Sequence, residues 1–280
     1  STIVCRGVFA TNIALLQKNR FEKVIYDGRG AIKAEQEEYG VYNETGIEKE
    51  IPELEKKAVI ESDKRISVST KLIEYWQREY QYNSYNHQII PCSLGDNFEN
   101  TDKDYSLIEG LNEQDILLVY SGSIADWQAL DDLESILARF LENKKVKVLF
   151  LSKPHETIVN LQKKYPDRIY RKWVSPVEVP KYLALGDYGI LLRKNNWTNR
   201  VASPVKFAEY LSVGLKVLIS DNIGDFSKLV VDNNLGYVVD DKILLLSKID
   251  FFEKERIQKY SRLNFGKEFL MPKYIDVIMS

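Results

Sequence analysis

The chain has 280 residues, a net charge of -2 at pH 7 and a pI of about 5.9. The length suits one large or two medium domains of roughly 100–200 residues each. The balanced charge excludes an overall field that would recruit nucleic acid, so any anion site must be local. With two widely spaced cysteines and no apolar run near the roughly 18 residues that span a bilayer, we expect a cytoplasmic protein. Peripheral contact with the inner membrane face is kept as an alternative.

Strands and helices alternate in the first part of the chain. The pattern predicts strands at 2–6, 23–27, 64–69 and 87–91, and helices at 8–19, 47–63 and 70–81. Alternation of this kind argues for a parallel α/β sheet. A polar, acidic stretch from Phe98 to Asn112 is the predicted interdomain linker.

A second alternating series follows that linker. It predicts strands at 116–120, 146–151, 168–170, 188–192 and 216–220, with helices near 130–142, 155–164, 177–184 and 204–213. The tail from Phe251 to Met279 is expected to be helical and charged. The sequence therefore predicts a second doubly wound domain.

The segment from Arg193 to Ser220 carries the chemistry. Ser203 suits a helix N-cap and Pro204 the first helical position, so we expect a helix to begin near Pro204. Its first turn offers free N–H groups and the positive end of the helix dipole to a phosphate. Four cations surround that point: Arg193, Lys194, Arg200 and Lys206. Glu209 follows about a turn and a half later, within reach of hydroxyls on the molecule that carries the phosphate.

The stretch SPVKFAEYLSVGLKVLIS resembles the donor-binding segment of the group 1 glycosyltransferases, which are retaining enzymes of the GT-B fold. The resemblance implies that a helix opens the diphosphate site and that Glu209 holds the ribose. The usual family motif has a Glu eight positions earlier, which in the family contacts the transferred sugar, and this chain has Val201 there. A subset of the family shares the Ser-Pro-x-Lys form without that first Glu, and this chain resembles the subset.

Four further segments match the family in order: YDGRG at 26–30, ESDKRISVST at 61–70, IPCSLGD at 90–96 and LLVYSGSIADWQ at 117–128. The resemblance implies an α/β fold of two Rossmann-like domains. The first, 1–97, is the acceptor-side domain and is incomplete, since about three strands and two helices of the family pattern are missing before it. The second, 98–265, binds the nucleotide sugar, and a C-terminal helix at 266–280 packs back onto the first.

The resulting predictions assign roles to named residues. Catalytic stabilisation of the leaving diphosphate is assigned to Arg193, Lys194 and Lys206. Nucleotide-sugar binding is assigned to Gly122, Ser123, Arg200, Ser203, Pro204 and Glu209. Arg29 is placed on the acceptor side. Simpler explanations stay open: Lys206 and Glu209 as a solvated pair on a helix surface, Arg193 and Lys194 as solvated loop charges, and Arg29 as an ordinary turn residue.

We predict no metal and no cofactor beyond the nucleoside diphosphate sugar, which is the donor substrate. The predicted function is retaining transfer of a sugar to a glycan or lipid-linked acceptor in bacterial cell-envelope or capsule polysaccharide synthesis. The alternative is a non-catalytic nucleotide-sugar-binding or scaffold protein of the same fold. Epimerases that share the fold are less favoured, because their catalytic carboxylates and histidine have no clear match.

Overall fold

The computed structural model describes residues 1–95, 98, 103–122, 130–240 and 245–280. The first half of the chain forms a four-stranded parallel sheet in the order β1-β2-β3-β4. Its elements are β1 Thr2–Arg6, α1 Gly7–Leu15, β2 Lys23–Gly28, α2 Ile32–Tyr39, α3 Ile51–Glu61, β3 Lys64–Ser67, α4 Thr70–Tyr80 and β4 His87–Ile89.

The second half forms a six-stranded parallel sheet in the order β10-β9-β8-β5-β6-β7. Its strands are β5 Ile116–Ser121, β6 Val146–Leu151, β7 Ile169–Lys172, β8 Tyr188–Leu191, β9 Lys216–Ile219 and β10 Gly236–Val238. Its helices are α5 Leu130–Phe140, α6 Glu156–Lys164, α7 Val179–Ala184, α8 Trp197–Arg200, α9 Val205–Ser212 and α10 Phe226–Asp232. The chain runs outward through β5, β6 and β7 and then returns to β8 on the other side of β5. The strand order therefore reverses between β5 and β8.

Two helices end the chain and contact different halves. In α11, Phe251–Phe265, the Ser261 hydroxyl donates to the Ala208 carbonyl oxygen at 3.0 Å. In α12, Lys267–Met279, Leu270 and Val277 pack in one apolar cluster with strand residues of the first sheet. The tail thus joins the two halves.

The predicted α/β class with two parallel sheets is confirmed. The sequence patterns missed α2, α8, α10 and β10, all of eight residues or fewer. They also placed the start of α3 four residues early, at Ile47. Pro52 lies in the first turn of α3, where its fixed φ favours a helix start at Ile51. The presence of further strands before β1 stays a prediction.

The segment just before α9 is tied to the first half by polar contacts. The Ser69 hydroxyl donates to the Val201 carbonyl oxygen at 2.7 Å, and the Cys92 N–H donates to the Ser203 hydroxyl at 3.1 Å. On α2, the Glu38 carboxylate accepts from the N–H groups of Trp197 at 2.7 Å and Thr198 at 3.0 Å. These contacts fix the walls of the cleft between the two sheets.

Candidate functional site

A cavity of about 600 Å³ lies at the carboxyl ends of the second sheet. Ser121 and Gly122 reach it from the end of β5, and Arg193 reaches it from just beyond β8. The first turns of α9 form the opposite wall with Lys206 and Glu209. Open parallel sheets bind ligands outside the strand ends where the strand order reverses, and this cavity lies at that point.

Gly122 makes room for the cation of this site. Its φ of +148° is a backbone conformation that residues with a side chain rarely adopt. A Cβ built at Gly122 would also overlap the terminal Nζ and Cε atoms of Lys206. The Lys206 ammonium lies 5.3 Å from the centroid of the Tyr120 ring. Glycine at 122 therefore lets the lysine fold over the end of β5.

Two cations line this cavity: Arg193, and Lys206, which is attracted by the Glu209 carboxylate without forming an ion pair with it. Among the described residues, neither Arg193 nor Lys206 forms an ion pair. Burial, with help from nearby Arg193, lowers the pKa of Lys206 to about 8, and burial also lowers the pKa of Arg193. The Arg193 Nη1 donates to the Asn199 side-chain oxygen at 3.1 Å, and its buried Nε has no partner in the described part of the chain. This arrangement favours an anionic ligand.

Glu209 lines the same cavity one turn beyond Lys206. Burial raises the pKa of its carboxyl, and the Lys206 charge opposes that rise. Both side chains thus face the cleft, which is not the position of a solvated surface pair. The carboxylate can accept hydrogen bonds from ligand hydroxyls.

The start of α9 differs from the prediction by one residue. Pro204 is the N-cap, with an extended ψ of 124°, and the helix begins at Val205. The prediction of Ser203 as the N-cap is therefore wrong. Its hydroxyl, on a residue only 6% exposed, instead accepts from the Cys92 N–H of the first half. The first-turn N–H groups of Val205 and Lys206 have no partner within the helix, as at any helix start.

A second cavity of about 280 Å³ adjoins the first on the side of the four-stranded sheet. Arg193 and Pro204 line both cavities. Arg29 and Glu35 line the smaller one from the first half. The Arg29 guanidinium is held by Asp27, at 2.8 Å from its Oδ2, and donates to the Tyr274 hydroxyl at 2.9 Å.

Comparison with known proteins agrees with this architecture. Residues 137–264 match the family model of the glucosyltransferase 3-like C-terminal domain. Sucrose-phosphate synthase from Thermosynechococcus elongatus superposes with a TM-score of 0.70 at 12% identity, over 99% of this chain and 72% of that one. WaaG, a glycosyltransferase involved in lipopolysaccharide biosynthesis, superposes with a TM-score of 0.58 at 17% identity, over 96% of this chain and 76% of that one. HepE from Anabaena in complex with UDP superposes with a TM-score of 0.66 at 10% identity, over 100% of this chain and 78% of that one.

This chain has the GT-B fold. The resemblance to GT-B glycosyltransferases predicted from the SPVKFAEYL segment is confirmed. A search of curated protein sequences found no match. In GT-B terms, the larger cavity belongs to the second Rossmann-like unit, and the smaller one lies toward the first.

The GT-B cleft gathers only part of the predicted site. Gly122, Arg193, Pro204, Lys206 and Glu209 line the larger cavity, whereas Arg29 and Ser203 line the smaller. Lys194 is exposed, and the Arg200 Nε donates to the Asn195 side-chain oxygen at 2.8 Å. Among the described residues, the linings of the two cavities include neither Lys194 nor Arg200. Ser123 falls outside the described residues.

Trp173 and Glu35 are among the side chains of the GT-B cleft that sequence reasoning missed. Trp173 lines the larger cavity directly after β7 and is 59% exposed. Its place at a strand end was a usable signal, because ligands gather there. Glu35 was one of several glutamates in a segment for which no helix was predicted, so nothing indicated which of them faced the cleft.

None of the described helices combines the length and the hydropathy needed to cross a bilayer. The described residues also contain no group of three or more histidine, cysteine, aspartate or glutamate side chains arranged to hold a metal ion.

Proposed function

We propose that this chain is a retaining glycosyltransferase that takes its sugar from a nucleoside diphosphate donor. One observation carries the proposal: Arg193 and Lys206 face the cavity at the strand ends with no carboxylate paired to either among the described residues. Burying two cations that form no ion pair is unfavourable, and the Glu209 charge offsets this only in part, so the arrangement favours a ligand that brings negative charge. HepE, a neighbour with the same fold, was solved with UDP and with UDP and glucose, which supports this class of ligand.

The diphosphate would lie between the start of α9 and these two cations. There it meets the free N–H groups of Val205 and Lys206 together with the positive end of the helix dipole. As the bond to the sugar breaks, negative charge grows on the leaving diphosphate. Fixed cations and N–H groups therefore stabilise the transition state more than the ground state.

The rest of the cavity suits a nucleoside. Glu209 would accept hydrogen bonds from the ribose hydroxyls, as the family resemblance implies. Trp173, Val174 and Pro176 form an apolar wall after β7, against which a nucleobase could stack. A nucleoside needs this combination of a flat apolar surface and one well-placed carboxylate.

The acceptor would approach from the first half of the chain, where Arg29 lines the smaller cavity. We propose a glycan or lipid-linked acceptor, in cell-envelope or capsule polysaccharide synthesis. WaaG, with the same fold, acts in lipopolysaccharide biosynthesis, which supports that setting. Retention follows the family resemblance. We place the enzyme in the cytoplasm, with contact at the inner membrane face as the alternative.

The non-catalytic alternative has one specific observation in its favour. Val201 occupies the position of the first motif Glu, and its side chain is fully buried in the apolar cluster of the first half. A protein that only binds nucleotide sugars would not need that carboxylate. Turnover of the nucleotide-sugar donor would distinguish the glycosyltransferase from the binding protein.

The test combines binding and turnover. Thermal unfolding is measured with UDP, GDP, UDP-glucose and UDP-N-acetylglucosamine, because a ligand at about 100 times its Kd adds about 2.7 kcal/mol of stability. Nucleotide release from the best donor is then followed with and without saccharide acceptors. Stabilisation with turnover supports the enzyme, and stabilisation without turnover supports the binding protein. If none of the nucleotides raises the Tm, the proposal fails.

A further inference from the structure

Glu35 is a carboxylate at the cleft to which no comparison or motif gives a role. It lies in the first turn of α2 and lines the smaller cavity, which Arg193 and Pro204 line as well. Its carboxylate has neither a hydrogen bond nor an ion pair to any other described residue. An unpaired, half-buried carboxylate facing a cavity calls for a ligand that donates hydrogen bonds.

The helix that carries Glu35 is fixed at both ends. At its start, the buried Glu55 carboxylate accepts from the N–H groups of Ile32 at 3.0 Å and Lys33 at 2.8 Å. Near its end, Glu38 accepts from the backbone of α8. Glu35 and Glu38 are three residues apart and share a helix face. The same face of α2 therefore contacts the start of α8 and presents Glu35 to the smaller cavity.

The carboxylate that the family motif would place at 201 is missing here, and the structure shows that this position could not supply it. The Val201 side chain is fully buried in the apolar cluster of the first half. The neighbouring residues Ala202, Ser203 and Pro204 line the smaller cavity together with Glu35. The first half thus brings a carboxylate to the cavity that the segment directly after Val201 lines.

We propose that Glu35 binds hydroxyls of the sugar being transferred and takes over the role of the missing motif Glu. The inference rests on the proposed function, since it requires a sugar attached to a diphosphate at Arg193. That arginine lines both cavities, so a sugar joined to a phosphate in the larger cavity extends into the smaller one. The smaller cavity, at about 280 Å³, has less than half the volume of the larger.

Burial, with repulsion from Glu55 and Glu38, raises the pKa of Glu35 to about 7. The charged form is therefore disfavoured in the folded, ligand-free protein. Replacing Glu35 by a neutral residue should therefore not lower the stability of the folded protein. Neutral Gln at this position should leave the Tm unchanged or raise it above pH 7, whereas a residue with a purely structural role would lower the Tm when replaced.

The experiment compares Glu35→Gln with the wild type for three properties: affinity for UDP, affinity for UDP-glucose or the preferred UDP-sugar, and hydrolysis of that donor without acceptor. We expect UDP affinity to stay within about twofold. UDP-sugar affinity or hydrolysis should fall about tenfold to a hundredfold, the usual effect of losing a hydrogen bond to a charged group. Glu37→Gln is the matched control, because Glu37 is exposed on the same helix, and it should change none of these.

Gly30→Ala provides a second variant. A Cβ at Gly30 would overlap the Oε1 atom of Glu35 and push the carboxylate aside. The Gly30→Ala variant should therefore reproduce the loss of sugar binding while leaving UDP affinity intact.

If Glu35→Gln binds and hydrolyses the donor like the wild type, the inference is wrong although UDP binding still supports the proposed function. If the transfer reaction, followed with acceptor for both proteins, shows that only the KM for the acceptor changes, the carboxylate serves the acceptor and the inference is also wrong. Failure of the wild type to bind any of the nucleotides and nucleotide sugars tested above overturns the proposed function and this inference together.

Discussion

The ammonium of Lys206 occupies the space where a side chain on Gly122 would lie. Gly122→Ala should displace that ammonium and strain the backbone at a φ of +148° by an amount on the order of 1–3 kcal/mol. We expect a lower Tm and a UDP affinity at least fivefold weaker, measured by calorimetry. Gly46→Ala is the control, because Gly46 also has a positive φ, +80°, but has open space around its Cβ position. It should lower the Tm and leave UDP affinity unchanged. Equal UDP affinity in both variants would contradict the role of Gly122.

Lys206→Met should weaken UDP binding and remove its pH dependence. Burial lowers the pKa of Lys206 from 10.5 to about 8, so the wild-type ammonium loses its proton as the pH rises through 8. UDP affinity of the wild type should therefore fall between pH 7 and pH 9, whereas the weak binding of the variant should stay level. Affinity is measured by calorimetry at each pH. Lys194→Met, at an exposed residue outside both cavities, should behave like the wild type.

Lys206→Met should also stabilise the ligand-free protein at neutral pH. The charged lysine is disfavoured in the folded state, so it opposes folding most strongly below pH 8. As the pH rises from 8 to 10.5, the unfolded chain holds the proton that the folded chain has lost, and that penalty disappears. The Tm advantage of Lys206→Met over the wild type should thus shrink across this range. An advantage that grows with pH would show that the lysine is not desolvated in the fold.

Glu209→Ala should separate the ribose contact from the diphosphate contact. Loss of hydrogen bonds to a charged group costs about 1.5–3 kcal/mol, so UDP affinity should fall about tenfold to a hundredfold. Affinity for inorganic diphosphate, which has no ribose, should not fall. Competition binding with both ligands measures the difference. A parallel loss for both ligands would remove the ribose assignment. An unchanged UDP affinity would do the same.

Val201→Glu should not restore the family motif. The side chain at 201 is fully buried among apolar residues, so the new carboxylate would be desolvated without a partner. We expect a loss of about 3 kcal/mol or more in the free energy of unfolding, and no gain in donor hydrolysis. Chemical denaturation measures the loss. Val159→Glu, at an exposed position on α6, is the matched control and should cost less than about 1 kcal/mol.

Much of the fold was predictable from the sequence because the strands are continuous apolar runs. β5, β8 and β9 are buried along their whole length, as parallel strands covered on both faces are. Short elements were not predictable. The four-residue helix α8 begins at Trp197, after the N-cap Asn196 whose side chain accepts from the Asn199 N–H, and it is held from the first half by Glu38. A tertiary contact of that kind leaves no periodic signal in the sequence.

The candidate site was predicted in the same uneven way. The pairing of Lys206 with Glu209 on one helix was predictable, because residues three apart share a helix face. Which of the predicted cations face the cleft was not predictable from the sequence. Arg193 enters the cleft while its neighbour Lys194 is exposed, since successive residues leaving a strand point in opposite directions. Ser203 was assigned to the helix cap, yet its hydroxyl accepts from Cys92, 111 residues away.

The sequence by itself determined the alternation of strands and helices, the helix that presents Lys206 and Glu209, and the likeness to GT-B glycosyltransferases. These features depend on residues near one another in the chain. Only the tertiary structure decided that Val201 is sealed in an apolar cluster and that Glu35 faces the cleft beside it. Both depend on how α2 docks against the segment after β8, and packing between segments some 160 residues apart is fixed by the shape of the whole fold.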